Sequence, residues 1–266
     1  MRTIRQLINT SGRTALITGA TGRLGQHMAE TIAELGGGVI LVDKPKSDYT
    51  SLINKLRKYG VEVFCMDCDL ENEGDRKHLI AKINEKYLSI DVLINNAAFG
   101  GTENLSGWIT SFEEQEISTW RRAIEVNLTA AFDLSKAFLP QLKKSKKGSI
   151  INIASIYGDN GPIHSMYKGT EMGNPAAYSV SKGGLIQLTR WLSTTVAPEV
   201  RVNTVSPGGV FRQQPQEFVD RYEKRTPLER MAVEEDFKGI IAYLSSDMSS
   251  YVTGQNIHVD GGWGVW

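Results

Sequence analysis

Tyr178 and Lys182 stand four residues apart in Ala176–Val196, a stretch whose apolar period is helical. Side chains at that spacing share one face of a helix, so the phenol and the ammonium are expected to meet. A neighbouring positive charge stabilises a phenolate and lowers a pKa that is otherwise about 10. Such a pair could exchange a proton with a substrate oxygen near neutral pH. Ser155 follows a β-branched run and offers a hydroxyl that could hold the same oxygen. Tyr167 is a competitor, but Glu171 lies four residues beyond it and would raise a tyrosine pKa. Gly169 and Gly173 also argue against a helix there. The role falls to Tyr178.

A second group of residues suits the binding of phosphates. The run Thr18-Gly19-Ala20-Thr21-Gly22-Arg23-Leu24-Gly25 ends one β-branched stretch and opens a helical one. Glycines in that place permit a tight turn and close backbone approach to a pyrophosphate, with free N–H groups at the helix start. Asp43 closes the next strand-like run, about 20 residues on, where an acid can accept hydrogen bonds from a ribose and repel a 2′-phosphate. That favours NAD. Arg23 pulls towards NADP, since a guanidinium could pair with the extra phosphate, and NADP is left open.

These residues need a scaffold. Short apolar runs at Thr14–Thr18, Val39–Asp43, Val61–Met66, Asp91–Ile94, Ser149–Ala154, Val200–Val205 and Ile257–Val259 alternate with helical periods. The helical stretches include Leu24–Leu35, Leu79–Tyr87, Trp120–Leu142, Ala176–Val196 and Glu234–Leu244. Near-continuous apolar strands are those buried on both faces of a parallel sheet. The pattern predicts one α/β domain over residues 1–266, a Rossmann-type doubly wound parallel sheet flanked by helices. Two loops, Phe99–Ile117 and Gly158–Asn174, begin where strands end, and ligands of open α/β sheets bind there. The second, with His164, Ser165, Tyr167 and Lys168, is expected either to contact substrate or to be a solvated loop.

Composition narrows the function classes. Hydrophobic residues make up 41% of the 266, enough for a full core. Thirty basic residues balance thirty acidic ones, which leaves no basic excess for nucleic acid. Two cysteines are too few for a disulfide framework. Cys65 and Cys68 have metal-like spacing but lie along a strand, where residues three apart face opposite ways, and no second pair completes a zinc site. Scattered His27, His78 and His258 show no ligand spacing, so no metal is expected. Residues 1–13 lack a continuous apolar region, and nowhere do 18 apolar residues run together, so neither a cleaved signal nor a membrane span is expected. A cytoplasmic protein with a small-molecule substrate fits.

The whole set resembles the short-chain dehydrogenase/reductase family over about residues 12–262. The resemblance rests on the glycine turn, Asp69-Leu70, Asn95-Asn96-Ala97-Ala98, Asn127, Ser155, Tyr178-Ser179-Val180-Ser181-Lys182 and Pro207-Gly208. It implies an NAD(P)-dependent oxidoreductase acting on a secondary alcohol or ketone, with Asn127, Ser155, Tyr178 and Lys182 as the catalytic set. Asn127 would orient a water linking Lys182 to solvent. The resemblance also implies cofactor contacts from Gly19, Gly22, Arg23, Leu24 and Gly25 to the pyrophosphate, from Asp43 to the ribose, and from Asp69 with Leu70 to the adenine. Asn96 and Ala97 would pass under the adenosine ribose. Tyr178 and Lys182, with Pro207, Gly208 and Val210, would meet the nicotinamide end. Family members often form dimers or tetramers, and Trp263 and Trp266 could pack against a neighbouring subunit.

Three features depart from the family pattern. Arg23 stands where the turn's middle glycine is usual, and Arg212 stands where a threonine is usual after Pro-Gly. Arg212 could hold pyrophosphate, hold an anionic substrate, or face water. Tyr178 lies 23 residues beyond Ser155, against a usual 13 or so, which places an insertion at about residues 158–174. That insertion, Gln213-Gln214-Pro215 with Phe218 and Tyr222, and the ending Tyr251–Asn256 resemble flagellin modification protein A and related sugar-biosynthesis dehydrogenases. This narrower likeness implies a sugar phosphate or nucleotide sugar on the way to a surface glycan. Rivals from other classes are a non-catalytic dinucleotide-binding sensor or scaffold, which a damaged tetrad would support although Asn127, Ser155, Tyr178 and Lys182 are all intact, and a Rossmann-fold methyltransferase.

Overall fold

A computed structural model describes residues 1–100 and 105–266 of the chain. Seven strands form one all-parallel sheet: β1 Thr14–Thr18, β2 Gly38–Asp43, β3 Val63–Asp67, β4 Val92–Asn95, β5 Gly148–Ile153, β6 Val200–Pro207 and β7 Asn256–Val259, in the order β3-β2-β1-β4-β5-β6-β7. Each expected strand is present, β1 with the expected bounds and the others with ends moved by at most two residues. The β3 start moves from Val61 to Val63, and β6 runs on to Pro207.

The apolar runs explain the layering. Within β1, Ala15 and Ile17 point into one core while Leu16 points into the other. Val39 and Leu41 of β2 likewise oppose Ile40 and Val42. This period of two divides every central strand between two cores, so both faces must be covered by helices. Helices α1 Ile4–Ile8, α2 Arg23–Glu34, α3 Thr50–Leu56 and α4 Glu73–Lys86 belong to the first half of the chain. The second half has α5 Ile117–Ile124, α6 Ala130–Ser145, α7 Ala176–Thr195, α8 Gln216–Arg225 and α9 Lys238–Ser245. Met28 and Ile32 of α2, Leu52 of α3 and Ile241 of α9 fill the first core. Leu79 of α4, Phe138 of α6 and Leu192 of α7 fill the second.

Three sequence expectations need correction. The stretch Trp120–Leu142 is not one regular helix, because a five-residue π turn, Glu125–Thr129, joins α5 to α6. Glu234–Leu244 starts as a 3-10 turn before α9. Trp263 does not await a neighbouring subunit: it is 1% exposed, stacked on Tyr222 and edge-on to Tyr157 within its own chain. The segment 158–174 carries a 3-10 turn, His164–Tyr167, whose Tyr167 ring stacks 5.5 Å from Phe218 of α8. The expected loop Phe99–Ile117 includes residues 101–104, which lie outside the described residues.

The strand order reverses between β1 and β4, on either side of which the connections run in opposite directions. A crevice opens beyond the carboxyl ends of strands at such a point. Both chemical groups of the sequence lie there.

Candidate active site

The turn after β1 is shaped by two glycines. Gly19 takes a left-handed φ of +63°, and a Cβ on it would come within 2.9 Å of the Ala97 Cα. A Cβ on Gly25 would lie 2.1 Å from the Gly19 carbonyl oxygen, so only glycine lets α2 approach the strand end. Gly22 caps α2 with extended backbone and no side-chain cap, leaving first-turn N–H groups open to an anion. Arg23 is the first residue of the helix, and right-handed helical backbone accepts a side chain there. The turn therefore keeps its form without the usual middle glycine. The Arg23 guanidinium is largely exposed and 4.0 Å from Glu234.

Asp43 joins this turn to the second strand. Its Oδ2 accepts from both the backbone N–H and the hydroxyl of Thr21, each at 2.7 Å. The Thr18 hydroxyl accepts from the N–H groups of Asn96 at 3.0 Å and Ala97 at 3.1 Å, locking β1 to β4 at the crossover. Asn96 Nδ2 donates to the Thr18 and Gly19 carbonyls.

At the other end, Ser155 lies two residues beyond β5 and caps a short turn, accepting from the Tyr157 N–H at 3.2 Å. Tyr178 and Lys182 project from α7 as their spacing implied, with the Lys182 Nζ 5.8 Å from the Tyr178 ring centroid. Lys182 is 2% exposed and donates to the Ile153 carbonyl at 2.8 Å. Burial holds its pKa down to about 8. The expected fall in the Tyr178 pKa is not what this arrangement yields. Burial raises it, and a hydrogen bond from Ser155 and the charge of Arg212 recover only part of the rise. The ammonium is turned to the Ile153 carbonyl, so its help to the phenolate is small in this state.

All residues expected at the site except Asn127 stand on the wall of one cavity of about 590 Å³. Asn127 sits behind that wall, in the π turn. Its Oδ1 accepts from the Phe99 N–H at 2.7 Å, and its Nδ2 donates to the Ser181 hydroxyl at 2.9 Å. The two ends of its amide thus fasten the β4 loop to the helix that carries Tyr178 and Lys182.

None of the residues of 158–174 lines this cavity. Tyr167 is taken up elsewhere, its hydroxyl 2.5 Å from that of Tyr157 and its pKa pushed up chiefly by burial. With His164 and Phe112 it borders a separate groove of about 870 Å³. Cys65 of β3 packs on the first core, whereas Cys68, expected along the strand, lies just past its end and packs on the second, and burial pushes the Cys68 thiol up to about 12. Among the described residues no three His, Cys, Asp or Glu side chains cluster as metal ligands, and no helix is long and apolar enough to cross a membrane.

Sequence reasoning missed Arg76. This α4 side chain is 3% exposed and bonds Asp133 at 2.9 Å, Glu125 at 2.7 Å and the Leu70 carbonyl at 2.6 Å. It ties the loop after β3, with Asp69 and Leu70, to the π turn that holds Asn127. An arginine in a polar helical stretch gives no sign of this, because its partners lie 49 and 57 residues away. Gln214, also missed, donates to the Val210 carbonyl and accepts from the Arg212 N–H.

Residues 19–264 match the family described as enoyl-(acyl carrier protein) reductase. The chain is 33% identical over 264 residues to a 3-oxoacyl-(acyl-carrier-protein) reductase of Rickettsia felis, covering 96% of this chain and 98% of that protein. It is 31% identical over 258 residues to the enzyme of the same name from Staphylococcus epidermidis, covering 94% and 98%. Among solved structures, a short chain dehydrogenase from Leptospira borgpetersenii with bound NAD+ superposes with a TM-score of 0.82 at 30% identity, over 99% of this chain and 96% of that one. The NADPH-dependent 3-quinuclidinone reductase of Rhodotorula rubra superposes with a TM-score of 0.86 at 25% identity, over 100% and 96%.

Proposed function

On the footing that this chain belongs to the short-chain dehydrogenase/reductase family, we propose that Ser155, Tyr178 and Lys182 carry out the reversible, NAD(P)-dependent reduction of a ketone to a secondary alcohol. One observation carries this reading: the glycine turn and the Ser–Tyr–Lys group share the wall of a single cavity, of a size usual for cofactor sites. The residues present fit a dinucleotide. Gly19 and Gly25 hold the turn close, the uncapped start of α2 suits the pyrophosphate, and Asp43 with Thr21 suits a ribose. Asp69 and Leu70 would flank the adenine, while Pro207, Gly208 and Val210 would border the nicotinamide.

A nicotinamide held against Pro207, Gly208 and Val210 would supply the hydride chemistry, and the chain's own residues manage the substrate oxygen and its proton. The Ser155 hydroxyl holds the substrate oxygen, and the Tyr178 O–H gives that oxygen its proton as charge builds on it. The Ser155 hydroxyl eases the phenolate left behind, and Tyr178 is reprotonated from solvent by way of Lys182. A lysine held at about 8 exchanges protons readily near neutral pH. Asn127 acts by positioning: it anchors the neighbour of Lys182 on α7 and the loop after β4.

Asp43 favours NAD, and the NAD+ of the Leptospira relative agrees with that. NADP stays open, since the Rhodotorula relative is NADPH-dependent and Arg23 stands largely exposed beside the turn. The resemblance to flagellin-modification sugar dehydrogenases supports a sugar phosphate or nucleotide sugar of surface-glycan synthesis as substrate. The segment 158–174, standing against Tyr157 through Tyr167, would form the outer rim on which a long substrate lies. The relatives' names support a second reading, reduction of a 3-oxoacyl thioester. The whole chain works as one domain, in a dimer or tetramer formed through the exposed Phe132, Val180 and Trp191 of α6 and α7. Two free thiols suit the cytoplasm.

The test is absorbance of reduced nicotinamide with NAD and NADP against sugar phosphates, nucleotide sugars, acetoacetyl-CoA and simple alcohols, beside Tyr178→Phe. Loss of about 10²–10⁴-fold in the variant, with unchanged NADH affinity, is the expected result. Turnover that survives in the variant would remove Tyr178 from its role. Tight NADH binding without turnover of any substrate class would favour the sensor.

A further inference from the structure

The segment after β6 is unusually fixed for an exposed loop. The Phe211 N–H donates to the Ala232 carbonyl at 2.8 Å, and the Ala232 N–H to the Gly209 carbonyl at 2.9 Å. Gln214 then clamps the turn from within: its Nε2 donates to the Val210 carbonyl and its Oε1 accepts from the Arg212 N–H at 2.7 Å. Gln213 is held in the left-handed region at φ +61° to complete the turn. A tight, hydrogen-bonded turn of this kind presents one side chain in a defined direction, and that side chain is Arg212.

Arg212 lines the same cavity as Ser155 and Tyr178. Among the described residues its guanidinium has no carboxylate partner. The acids of the cavity wall are already engaged, Asp43 by Thr21 and Asp69 by the Glu71 N–H. The remaining cations of the wall are not available to a substrate at the reacting end. Lys182 is buried against Ile153, and Arg23 and Lys44 stand by the glycine turn and Asp43. Arg212 is thus the one open, permanently charged fork near the reacting groups among the described residues, with geometry suited to two oxygens of an oxyanion. Its charge also works against the burial that raises the Tyr178 pKa, in keeping with its place on the same wall.

We propose that Arg212 is a specificity residue that binds an oxyanion, a carboxylate or phosphate ester, carried by the substrate close to its reacting carbonyl. This rests on the oxidoreductase reading above and narrows its substrate class to anionic ketones and alcohols. An uncharged ketone would leave the guanidinium without a partner and bind more weakly, and pairing would also fix which way the carbonyl meets Ser155 and Tyr178.

Calorimetric titration of the NAD+-loaded protein tests this without requiring turnover. The probes are acetoacetate against methyl acetoacetate, and dihydroxyacetone phosphate against dihydroxyacetone. One anion of these pairs should bind about 10- to 100-fold more tightly than its neutral counterpart, the usual value of charge-assisted hydrogen bonds. The pair that shows the preference tells carboxylate from phosphate. Arg212→Met should bring that pair within about twofold while leaving NAD+ affinity within about twofold, and Arg212→Lys should restore part of the preference. Three results would overturn the assignment. The wild-type protein could favour neither anion, the preference could survive in Arg212→Met, or Arg212→Met could weaken NAD+ instead and so assign the guanidinium to the pyrophosphate. Failure of the wild-type protein to bind either NAD+ or NADP+ would bring down the oxidoreductase reading itself, an outcome distinct from these three.

Discussion

Replacing Lys182 by methionine should abolish activity and yet improve stability near neutral pH. Lys182 is 2% exposed, and burial holds its pKa at about 8 instead of 10.5. That difference corresponds to about 3 kcal/mol of stability lost to keeping the ammonium buried. The folded pKa is the lower one, so the penalty is fully present below about pH 8 and vanishes as the pH rises towards 10.5. Methionine fills a similar volume without charge, but it leaves the Ile153 carbonyl without its donor, which costs about 1–3 kcal/mol at every pH. Near pH 7 the variant should therefore be more stable than the parent by up to about 2 kcal/mol. At pH 10.5 it should be the less stable of the two. The change in the gap between these limits, about 3 kcal/mol, does not depend on the cost at Ile153, which is the same at every pH. For a chain of this size it amounts to roughly 6–12 °C in the difference between the two melting temperatures. Thermal unfolding followed by circular dichroism at pH 7, 8, 9 and 10.5, both proteins side by side without cofactor, measures it. A gap that stays constant with pH, or widens in the variant's favour as pH rises, would refute the argument that burial dominates the lysine.

Gly25→Ala drives a methyl group to 2.1 Å from the Gly19 oxygen, and relief by parting α2 from β1 should cost about 1–3 kcal/mol and raise the NADH dissociation constant at least about tenfold in a fluorescence titration. Asp43→Asn keeps an acceptor for Thr21 but removes the charge; the ratio of kcat/KM for NADP over NAD should rise about fivefold or more, the value of about 1 kcal/mol of repulsion at a few ångströms in water. An unchanged ratio would show that Asp43 does not choose the cofactor. Arg76→Met breaks three charged hydrogen bonds, but Glu125 and Asp133 are each about a third exposed and can turn to water. The loss should be about 2–3 kcal/mol in denaturant unfolding, below that of a sealed pair, with weaker NADH binding and little change in kcat.

Which parts of this site could be read from the chain follows from the range of the interactions that build them. The strands were legible because each side of a parallel sheet needs apolar residues, so burial on both faces writes an unbroken run, as in Val39-Ile40-Leu41-Val42. The glycine turn and the Tyr178–Lys182 pair were legible for a similar reason: backbone conformation and helical spacing tie function to residues a few places apart. Arg76 was invisible because its partners are assembled by the fold from the loop after β3, the π turn and α6. The π turn was invisible because a single extra residue in a helical repeat hardly disturbs the apolar period of Trp120–Leu142, although it moves Asn127 behind the wall. Charge strength was the subtlest loss. Spacing alone places an ammonium beside a phenol, but it cannot show that the Ile153 carbonyl accepts the ammonium's hydrogen bond and that burial outweighs the pairing. The same logic gives Arg212 its weight. In the sequence it is one arginine among the thirty basic residues, with three roles open to it. Only the clamp of Gln214 and the prior engagement of Asp43 and Asp69 turn an exposed charge into a directed one. A lone cation aimed into a reaction cavity is stable without a ligand because water reaches it, and it becomes selective when a substrate displaces that water and supplies the missing charge.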